Sequence, residues 1–257
     1  MEGKVALVTG AAGGIGEAVV RLLGERGVTV AAVDKDPDRL RSTVDKLNAD
    51  GLRVEAFPGD VTSSPDVEAL VDDVERRLGP LDYLVNAAGV LRLNEARKLS
   101  DEDWAFTFAV NTTGVFFVSR AVVNRMVPRG SGSVVTVASN SAGTARVEMA
   151  AYSASKAAAT MFTKCLGLEV AKYGIRCNLV APGSTETPML SSMWKDGEKA
   201  RKASIEGVNS SYRVGIPLQK LGRPENVAQA VVFLLSDAAS HITMHDLTVD
   251  GGATLGV

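Results

Sequence analysis

The 257-residue sequence contains little cysteine or histidine, with two residues of each type. Cys165 lies in a helical pattern and Cys177 in a strand pattern, so we expect reduced, buried thiols rather than a disulfide, as is usual in the cytoplasm. His241 and His245 stand four residues apart without nearby cysteines or an acidic cluster, which is too few ligands for a typical zinc site. We therefore expect no metal site and a cytoplasmic protein.

Basic runs and long apolar runs are also missing. The formal net charge is -2, charges of both signs are spread along the chain, and no basic-aromatic interleaving indicates a nucleic-acid partner. Residues 1–8 lead into an apolar strand without the charged leader and long apolar region of a secretion signal. No stretch reads as long and apolar enough to cross a membrane. These absences favour a small neutral or anionic ligand.

Short β-branched runs alternate with longer amphipathic stretches along the chain. The predicted strands are residues 5–9, 28–33, 53–57, 83–86, 133–139, 176–181 and 247–249, and helical patterns begin near residues 14, 37, 65, 101, 151 and 224. This alternation predicts an α/β, Rossmann-type doubly wound fold, with a seven-stranded parallel sheet and helices on both faces. We expect a single domain over residues 1–257 that binds its ligands at the carboxyl ends of the strands.

Two features depart from simple alternation. The helices expected over residues 101–126 and 151–173 are unusually long and rich in Ala, Val and Phe, which suggests a subunit interface as well as intrachain packing. Residues 184–215 have mixed polarity, and we interpret this segment as a mobile lid containing a short helix.

A glycine-rich turn, Thr9-Gly10-Ala11-Ala12-Gly13-Gly14-Ile15-Gly16, follows the first predicted strand. Glycines let backbone approach a pyrophosphate at a helix start, although the spacing departs from G-x-G-x-x-G and a merely tight connection is the alternative. Asp34 ends the second strand, where a carboxylate can bind ribose hydroxyls and repel a 2′-phosphate. This favours NAD. Lys35 is a small argument for NADP, but Gly13 supplies no basic side chain to assist it.

Tyr152 and Lys156 stand four residues apart at the start of a predicted helix, so their side chains should share one face. A nearby cation lowers the pKa of an acid by roughly 1 to 3 units. A phenol tuned in this way can take a proton from an alcohol or return one to a carbonyl. On its own the pair is weak, because this spacing often arises by chance.

Further motifs accompany this pair. They are Asp60-Val61, Asn86-Ala87-Ala88-Gly89, Asn111, Ser139, Pro182-Gly183 with Thr187, and Val249-Asp250-Gly251-Gly252. Together with the glycine-rich turn they resemble the short-chain dehydrogenase/reductase family over essentially the whole chain. The resemblance implies a cofactor site formed by Gly10, Gly14, Ile15, Gly16, Asp34, Asp60, Val61, Asn86, Gly89, Tyr152, Lys156, Pro182, Gly183 and Thr187. For Asp60 an ordinary turn role is a fair competitor.

The resemblance also implies the catalytic roles. Tyr152 would remove the hydroxyl proton of an alcohol, and Lys156 would stabilise the phenolate and bind the nicotinamide ribose. Ser139, expected at the end of the fifth strand, would hold the substrate oxygen, with Ser141 as its nearest rival. The side chain of Asn111, or a local helix distortion there, could hold a water that links Lys156 to solvent.

Within the family the resemblance is dense in residues 84–92, 174–178 and 240–243. It implies a homotetramer that uses NAD to oxidise a ring hydroxyl of a cyclohexadiene diol carboxylate, giving a catechol for siderophore biosynthesis. A carboxylated substrate needs a cation, and a guanidinium suits a carboxylate. We favour Arg146, between Ser139 and Tyr152, with Arg92 second.

Two methionines, Met189 and Met193, could cover the substrate ring from the lid together with Trp194, although ordinary lid packing is the simpler interpretation. Other functions also stay open. They are a related dihydrodiol dehydrogenase of antibiotic biosynthesis, an NADPH-dependent ketoreductase, a non-catalytic dinucleotide sensor, and a lyase of the halohydrin dehalogenase type. Asp34 argues against the ketoreductase, and the intact Tyr152 and Lys156 argue against the last two.

Overall fold

The computed structural model describes residues 1–192 and 196–256. Its strands are β1 (Val5–Thr9), β2 (Thr29–Asp34), β3 (Val54–Pro58), β4 (Tyr83–Asn86), β5 (Gly132–Val137), β6 (Ile175–Pro182), β7 (Gly207–Val208), β8 (Arg213–Val214) and β9 (Asp246–Val249). Seven of them form a parallel sheet in the order β3-β2-β1-β4-β5-β6-β9, and β7 and β8 form a separate antiparallel pair. The doubly wound α/β fold predicted from the alternation is confirmed.

The helices are α1 (Gly14–Gly24), α2 (Pro37–Ala49), α3 (Ser64–Leu78), α4 (Asp101–Phe108), α5 (Val115–Met126), α6 (Ala150–Val170), α7 (Pro188–Ser191), α8 (Gly197–Glu206) and α9 (Pro224–Leu235). Side chains next to several helix starts accept hydrogen bonds from free N–H groups of the first turn. At α4, for example, the Ser100 side chain accepts a hydrogen bond from Asp103 N at 3.1 Å, which satisfies a free N–H group of the first turn.

Successive side chains of each strand enter opposite cores, as the period of two in a strand requires. In β1, Ala6 and Val8 pack with residues of α1, α2 and α9, whereas Val5 and Leu7 pack with residues of α3 and α5. Both faces of the sheet are therefore covered, which leaves the carboxyl ends of the strands as the open edge for a ligand.

The first long helix is interrupted by a π-helical turn over Ala109–Gly114, between α4 and α5. The helical run over Asp101–Arg129, whose apolar window has a mean hydropathy of 1.4, is long and apolar enough to cross a membrane by length and composition, so our expectation that no such stretch exists is wrong. In this fold 56% of its apolar window is buried, as in the core helix of a globular domain. One further expectation is corrected, since Cys165 is exposed on α6 and Cys177 alone is buried.

The segment predicted as a lid contains more structure than one short helix. It holds α7, α8 and the β7–β8 hairpin. Two glycines let this hairpin close tightly, because a Cβ on Gly207 (φ 89°) would lie 2.6 Å from the Arg213 carbonyl oxygen and one on Gly215 would lie 2.3 Å from the Ile205 carbonyl oxygen. The backbone around Arg213 is thereby held in place.

Arg176 joins the sheet to the end of α9. From β6 its guanidinium donates to the carbonyl oxygens of Leu234 at 2.6 Å, Leu235 at 2.9 Å and Ser236 at 3.1 Å. These carbonyls belong to the last turn of the helix, where intrahelical partners run out and a cation is favourable.

We predict that Arg176→Met lowers the free energy of unfolding by about 3 kcal/mol, because it leaves several acceptors of a half-buried helix end without a donor. Urea denaturation of both proteins measures the change. The matched control is Arg97→Met, which removes an exposed guanidinium paired with Glu95 and should cost less than about 0.5 kcal/mol. Equal losses in the two variants would contradict the capping role.

Candidate active site

Two adjoining pockets open at the carboxyl edge of the sheet. The larger, of about 440 Å³, is lined by Ser139, Tyr152 and Lys156 together with residues of the lid. The smaller, of about 100 Å³, is lined by Gly10, Asp34, Lys35, Asp60 and Val61, among others. Because Gly89 lines both, they form one trough with a catalytic end and a nucleotide end.

The glycine-rich turn packs too closely for side chains. A Cβ on Gly10 (φ 68°) would lie 2.8 Å from Ala88 backbone, one on Gly14 (φ 40°) 2.8 Å from Thr187 Cγ2, and one on Gly16 2.0 Å from the Gly10 carbonyl oxygen. Gly13 caps α1 without a side-chain hydrogen bond, so the first N–H groups of the helix are left for another acceptor. This cradle fits the pyrophosphate of a dinucleotide.

At the nucleotide end, the Asp34 carboxylate accepts hydrogen bonds from Ala12 N and Asp36 N, both at 3.1 Å, and faces the smaller pocket. The sequence interpretation missed Arg39. From α2 its guanidinium donates to the Ala12 carbonyl oxygen at 3.0 Å and reaches the open side of Gly13. Arg39 therefore supplies, from another helix, the basic side chain that position 13 does not carry. No local pattern in the sequence could indicate this contact.

Asp60 has the turn role weighed from the sequence, and its position at the smaller pocket keeps the expected cofactor contact possible. It lines the smaller pocket, and its Oδ1 accepts hydrogen bonds from Thr62 N at 2.9 Å and Thr62 Oγ1 at 2.8 Å. Asn86 lines neither pocket, so its expected contact with the cofactor is not supported. Its Nδ2 instead donates to Ser119 Oγ at 2.9 Å and Thr136 Oγ1 at 3.3 Å, which fixes β4 against α5 and β5.

Lys156 is a buried cation. Its side chain is 5% exposed and its Nζ donates to the Val137 carbonyl oxygen at 2.9 Å. Burial disfavours the charged form and lowers the pKa of Lys156 to about 8. A Cβ on Gly89 would lie 3.4 Å from this Nζ, so the small residue there keeps the ammonium accessible to the trough.

The expected lowering of the Tyr152 pKa by Lys156 is wrong for this structure. Burial raises the pKa of Tyr152, and a hydrogen bond from Ser139 partly opposes the rise. The lysine ammonium lies 5.9 Å from the centre of the Tyr152 ring and is committed to Val137, so spacing along the helix placed the two groups on one face without bringing the ammonium to the phenol oxygen.

Ser139 lies two residues beyond the end of β5 rather than in the strand itself. It starts a 3-10 turn over Asn140–Ala142, and its Oγ accepts hydrogen bonds from Ser141 N at 3.2 Å and Ser141 Oγ at 3.0 Å. Both serines line the larger pocket, but only Ser139 affects the Tyr152 pKa through a hydrogen bond, which favours Ser139 over Ser141.

Asn111 lies in the π-helical turn, so the helix distortion considered from the sequence is present. Both N–H groups of its amide are taken, by the Val90 carbonyl oxygen at 2.9 Å and Ser155 Oγ at 3.0 Å, and its Oδ1 accepts from Val90 N at 2.8 Å. The side chain therefore connects the β4 loop to α6, and its amide has no N–H group left to hold a water.

The substrate end brings together only some of the residues expected there. Arg146 and Met189, which we expect at the substrate, line the larger pocket. So do four residues that we expect at the cofactor, Ile15, Pro182, Gly183 and Thr187. Arg92 does not: it pairs with Asp103 at 3.3 Å and lies over the Phe106 ring at 5.1 Å, so its candidacy for the substrate carboxylate is withdrawn. Met193 and Trp194 lie outside the described residues.

A second arginine, Arg213, lines the same pocket from β8. Its Nη2 donates to Ser184 Oγ at 2.7 Å. Burial lowers its pKa, and the charge of Arg146 lowers it further. The sequence interpretation missed Arg213 because a two-residue strand in a segment of mixed polarity leaves no recognisable pattern.

The histidines do not gather metal ligands in the structure. His245 N donates to Asn178 Oδ1 at 3.0 Å, a contact between β6 and the segment before β9. Within residues 1–192 and 196–256, no group of three or more His, Cys, Asp or Glu side chains is arranged to hold a metal ion.

Burial of Lys156 makes stability depend on pH. Its pKa in the folded state is about 8, below the value of 10.5 expected of a free lysine, so the unfolded chain binds more protons between these values. The Lys156 contribution to the free energy of unfolding therefore rises with pH across this window, and at neutral pH the buried charge costs about 3 kcal/mol.

We predict that Lys156→Met is more stable than the parent by about 3 kcal/mol at pH 7 and that the difference shrinks toward zero above pH 10.5. Urea denaturation of both proteins at several pH values measures it. Burial raises the Cys177 pKa to about 12, which erodes stability above pH 9, but both proteins share this effect and it cancels. A difference that does not change with pH would contradict the assignment.

The family model described as short chain dehydrogenase matches residues 4–198. The 2,3-dihydro-2,3-dihydroxybenzoate dehydrogenase of Bacillus subtilis is 56% identical over 257 residues, which cover 100% of this chain and 98% of that protein. The Escherichia coli protein of the same name is 40% identical, over 99% of this chain and 98% of that one.

Among solved structures, actinorhodin polyketide ketoreductase with NADPH superposes with a TM-score of 0.90 at 37% identity, over 97% of both chains. The family match, the high identity over the full length and the shared fold agree with one another. The chain belongs to the short-chain dehydrogenase family.

Proposed function

We propose that the protein oxidises 2,3-dihydro-2,3-dihydroxybenzoate to 2,3-dihydroxybenzoate with NAD as the hydride acceptor, and so supplies a catechol for siderophore biosynthesis. The observation that carries the proposal is one cleft in which Tyr152 and Ser139 lie together with an arginine, Arg146, that suits a carboxylate. The relatives at 56% and 40% identity, which bear the name of this reaction, support the substrate.

In this reaction the nicotinamide dinucleotide supplies the hydride acceptor. Ser139 donates a hydrogen bond to the reacting hydroxyl oxygen and orients it, while Tyr152 takes the hydroxyl proton. The carbon loses its hydride as the oxygen loses its proton, so the first product is a ketone. Its tautomerisation gives the aromatic catechol, and this aromatisation pulls the reaction toward oxidation.

Tyr152 must be a phenolate before it can take the hydroxyl proton, and Lys156 provides positive charge on the same side of the cleft. The Tyr152 pKa is raised by burial, so the phenolate needs such charge, and the buried ammonium cannot be screened by solvent. We propose that Lys156 also binds the nicotinamide ribose, which the open face at Gly89 allows. Asn111 positions Lys156 indirectly by holding the β4 loop against α6.

We assign NAD rather than NADP because Asp34 faces the nucleotide pocket with a carboxylate. An NADPH-dependent ketoreductase is the second candidate, and one observation favours it: Arg39 stands beside Gly13. The ketoreductase solved with NADPH, at a TM-score of 0.90, shows that the fold accommodates this alternative in a relative.

We further propose a cytoplasmic homotetramer. Large apolar side chains on the neighbouring helices α5 and α6 are exposed to solvent in the single chain. The exposed fraction is 36% for Phe116, 60% for Met161 and 69% for Leu168. Such side chains are typical of a surface that another subunit covers. Both cysteines are free thiols, as is usual in the cytoplasm.

Tyr152→Phe should reduce kcat for oxidation of the diol acid by about 10²- to 10⁴-fold, because the variant lacks the proton acceptor. Reduced-cofactor absorbance measures turnover, and cofactor fluorescence measures NAD binding, which should persist. Tyr173→Phe, which removes a hydroxyl at the far end of α6, is the control and should keep parental turnover. A parent that binds NAD yet oxidises no diol acid would instead favour a dinucleotide sensor.

Asp34→Ala should lower the ratio of kcat/KM for NAD to that for NADP by about 10- to 100-fold, because it removes both a ribose acceptor and a charge that repels the 2′-phosphate. Steady-state kinetics with each cofactor measure the ratio. In the same background, Arg39→Met should cancel the gain with NADP. A ratio that stays at the parental value would remove Asp34 from cofactor selection.

A further inference from the structure

Two guanidinium groups line the substrate cleft, and neither has an ion-pair partner among the described residues. Arg146 approaches from the loop before α6 and Arg213 from β8, and both line the pocket that holds Ser139 and Tyr152. Within the described residues neither Arg146 nor Arg213 forms an ion pair at 4.0 Å or less. By contrast, Arg201 on α8 is paired with Glu186 at 3.0 Å.

Like charges that share a half-buried cleft repel one another, and this repulsion acts on the pKa of Arg213. The charge of Arg146 works to lower the pKa of Arg213, in addition to the effect of burial. Such an arrangement is unfavourable unless an anion lies between or beside the two groups. The pair is therefore suited to an oxyanion on the substrate.

Two carboxylates lie near the pair, and among the described residues neither forms an ion pair with Arg146 or Arg213. Glu148 lines the same pocket, and Asp250 acts on Arg146 through its charge. Asp250 lends Arg146 favourable charge, but its oxygens are committed to Thr254 Oγ1 at 2.7 Å, Gly252 N at 2.8 Å and Asn140 Nδ2 at 3.2 Å. The guanidinium of Arg146 has no hydrogen-bond acceptor among the residues that the structure describes. Its N–H groups stay available to a ligand.

Contacts of both its side chain and its backbone fix the position of Arg213. Its Nη2 donates to Ser184 Oγ, and Ser184 directly follows the Pro182-Gly183 floor of the cleft. Its backbone is fixed in the hairpin, where Val208 pairs with Arg213 and the tight glycines at either side admit no Cβ. A guanidinium has five N–H donors, so the bond to Ser184 leaves others for a planar oxyanion.

We propose that Arg213, oriented by Ser184, is the second half of an arginine clamp with Arg146 that binds the substrate carboxylate and selects carboxylated diols over neutral ones. This inference rests on the proposed function, which names Arg146 alone. The clamp fixes the ring relative to Ser139 and Tyr152, so it determines which hydroxyl reaches the phenol.

The test compares Arg213→Met with the parent on 2,3-dihydro-2,3-dihydroxybenzoate and on its neutral methyl ester. We expect KM for the acid to rise about 10- to 100-fold, KM for the ester to change less than about twofold, and KM for NAD to stay at the parental value. Arg213→Lys keeps the charge without the planar guanidinium, so its KM for the acid should lie between those of the parent and Arg213→Met. Arg201→Met is the control for loss of a lid charge and should match the parent.

The Arg146→Met and Arg213→Met effects on the acid should be less than additive if one carboxylate contacts both groups. An unchanged KM for the acid in Arg213→Met would overturn the clamp, and so would an equal loss on acid and ester, since that would indicate a purely structural role. Thermal unfolding of each variant distinguishes misfolding from lost recognition, and Arg213→Lys serves where the Met variant does not fold.

Direct binding separates failure of the clamp from failure of the proposed reaction. Calorimetry should show that Arg213→Met weakens binding of 2,3-dihydroxybenzoate and leaves binding of catechol, which has no carboxylate, unchanged. This result would support the clamp even where the parent turns over no diol acid. A parent that binds inorganic phosphate more tightly than 2,3-dihydroxybenzoate would overturn the carboxylate assignment, because the same guanidinium pair can take either oxyanion.

Discussion

The buried ammonium of Lys156 is the constraint around which the catalytic end is arranged. Among the described residues it donates a hydrogen bond to the Val137 carbonyl oxygen at the end of β5, so the cation is placed by the sheet itself. A charge held this way is costly, and its pKa of about 8 shows the cost. The same burial makes its field strong at short range, which is what a phenol with a raised pKa requires in order to give up a proton.

The two ends of the trough have opposite electrostatic character. Asp34 places a carboxylate at the nucleotide end, while Arg146 and Arg213 place positive charge at the substrate end. A cofactor with free ribose hydroxyls and a substrate with a carboxylate each match one end and are disfavoured at the other. Lys156 and Tyr152 lie at the larger pocket beside Gly89, where the two ligands would meet. Under the proposed function, this charge distribution favours the nucleotide at one end and the substrate carboxylate at the other.

The sheet could be predicted from the sequence because buried parallel strands are short apolar runs, and β1 and β4 were placed to the residue. The residues that follow those strands could be placed at the ligand edge for the same reason. Contacts between distant segments could not. Arg213 enters the cleft through a two-residue strand, and Arg39 reaches Gly13 from the next helix. The predicted downward shift of the Tyr152 pKa is wrong because helical spacing does not reveal that Lys156 donates its hydrogen bond to Val137.

Asp250, which directly follows β9, contacts both the floor of the cleft and the turn that begins at Ser139. A Cβ on Gly183 would lie 2.6 Å from Asp250 Cβ, so this carboxylate backs the cleft floor, and its bond to Asn140 restrains the turn that begins at Ser139. Its charge also reaches Arg146 without occupying its N–H groups. Asp250 thus lowers the cost of burying the Arg146 guanidinium while leaving its N–H groups able to bind, which a carboxylate in direct contact with that guanidinium would not do.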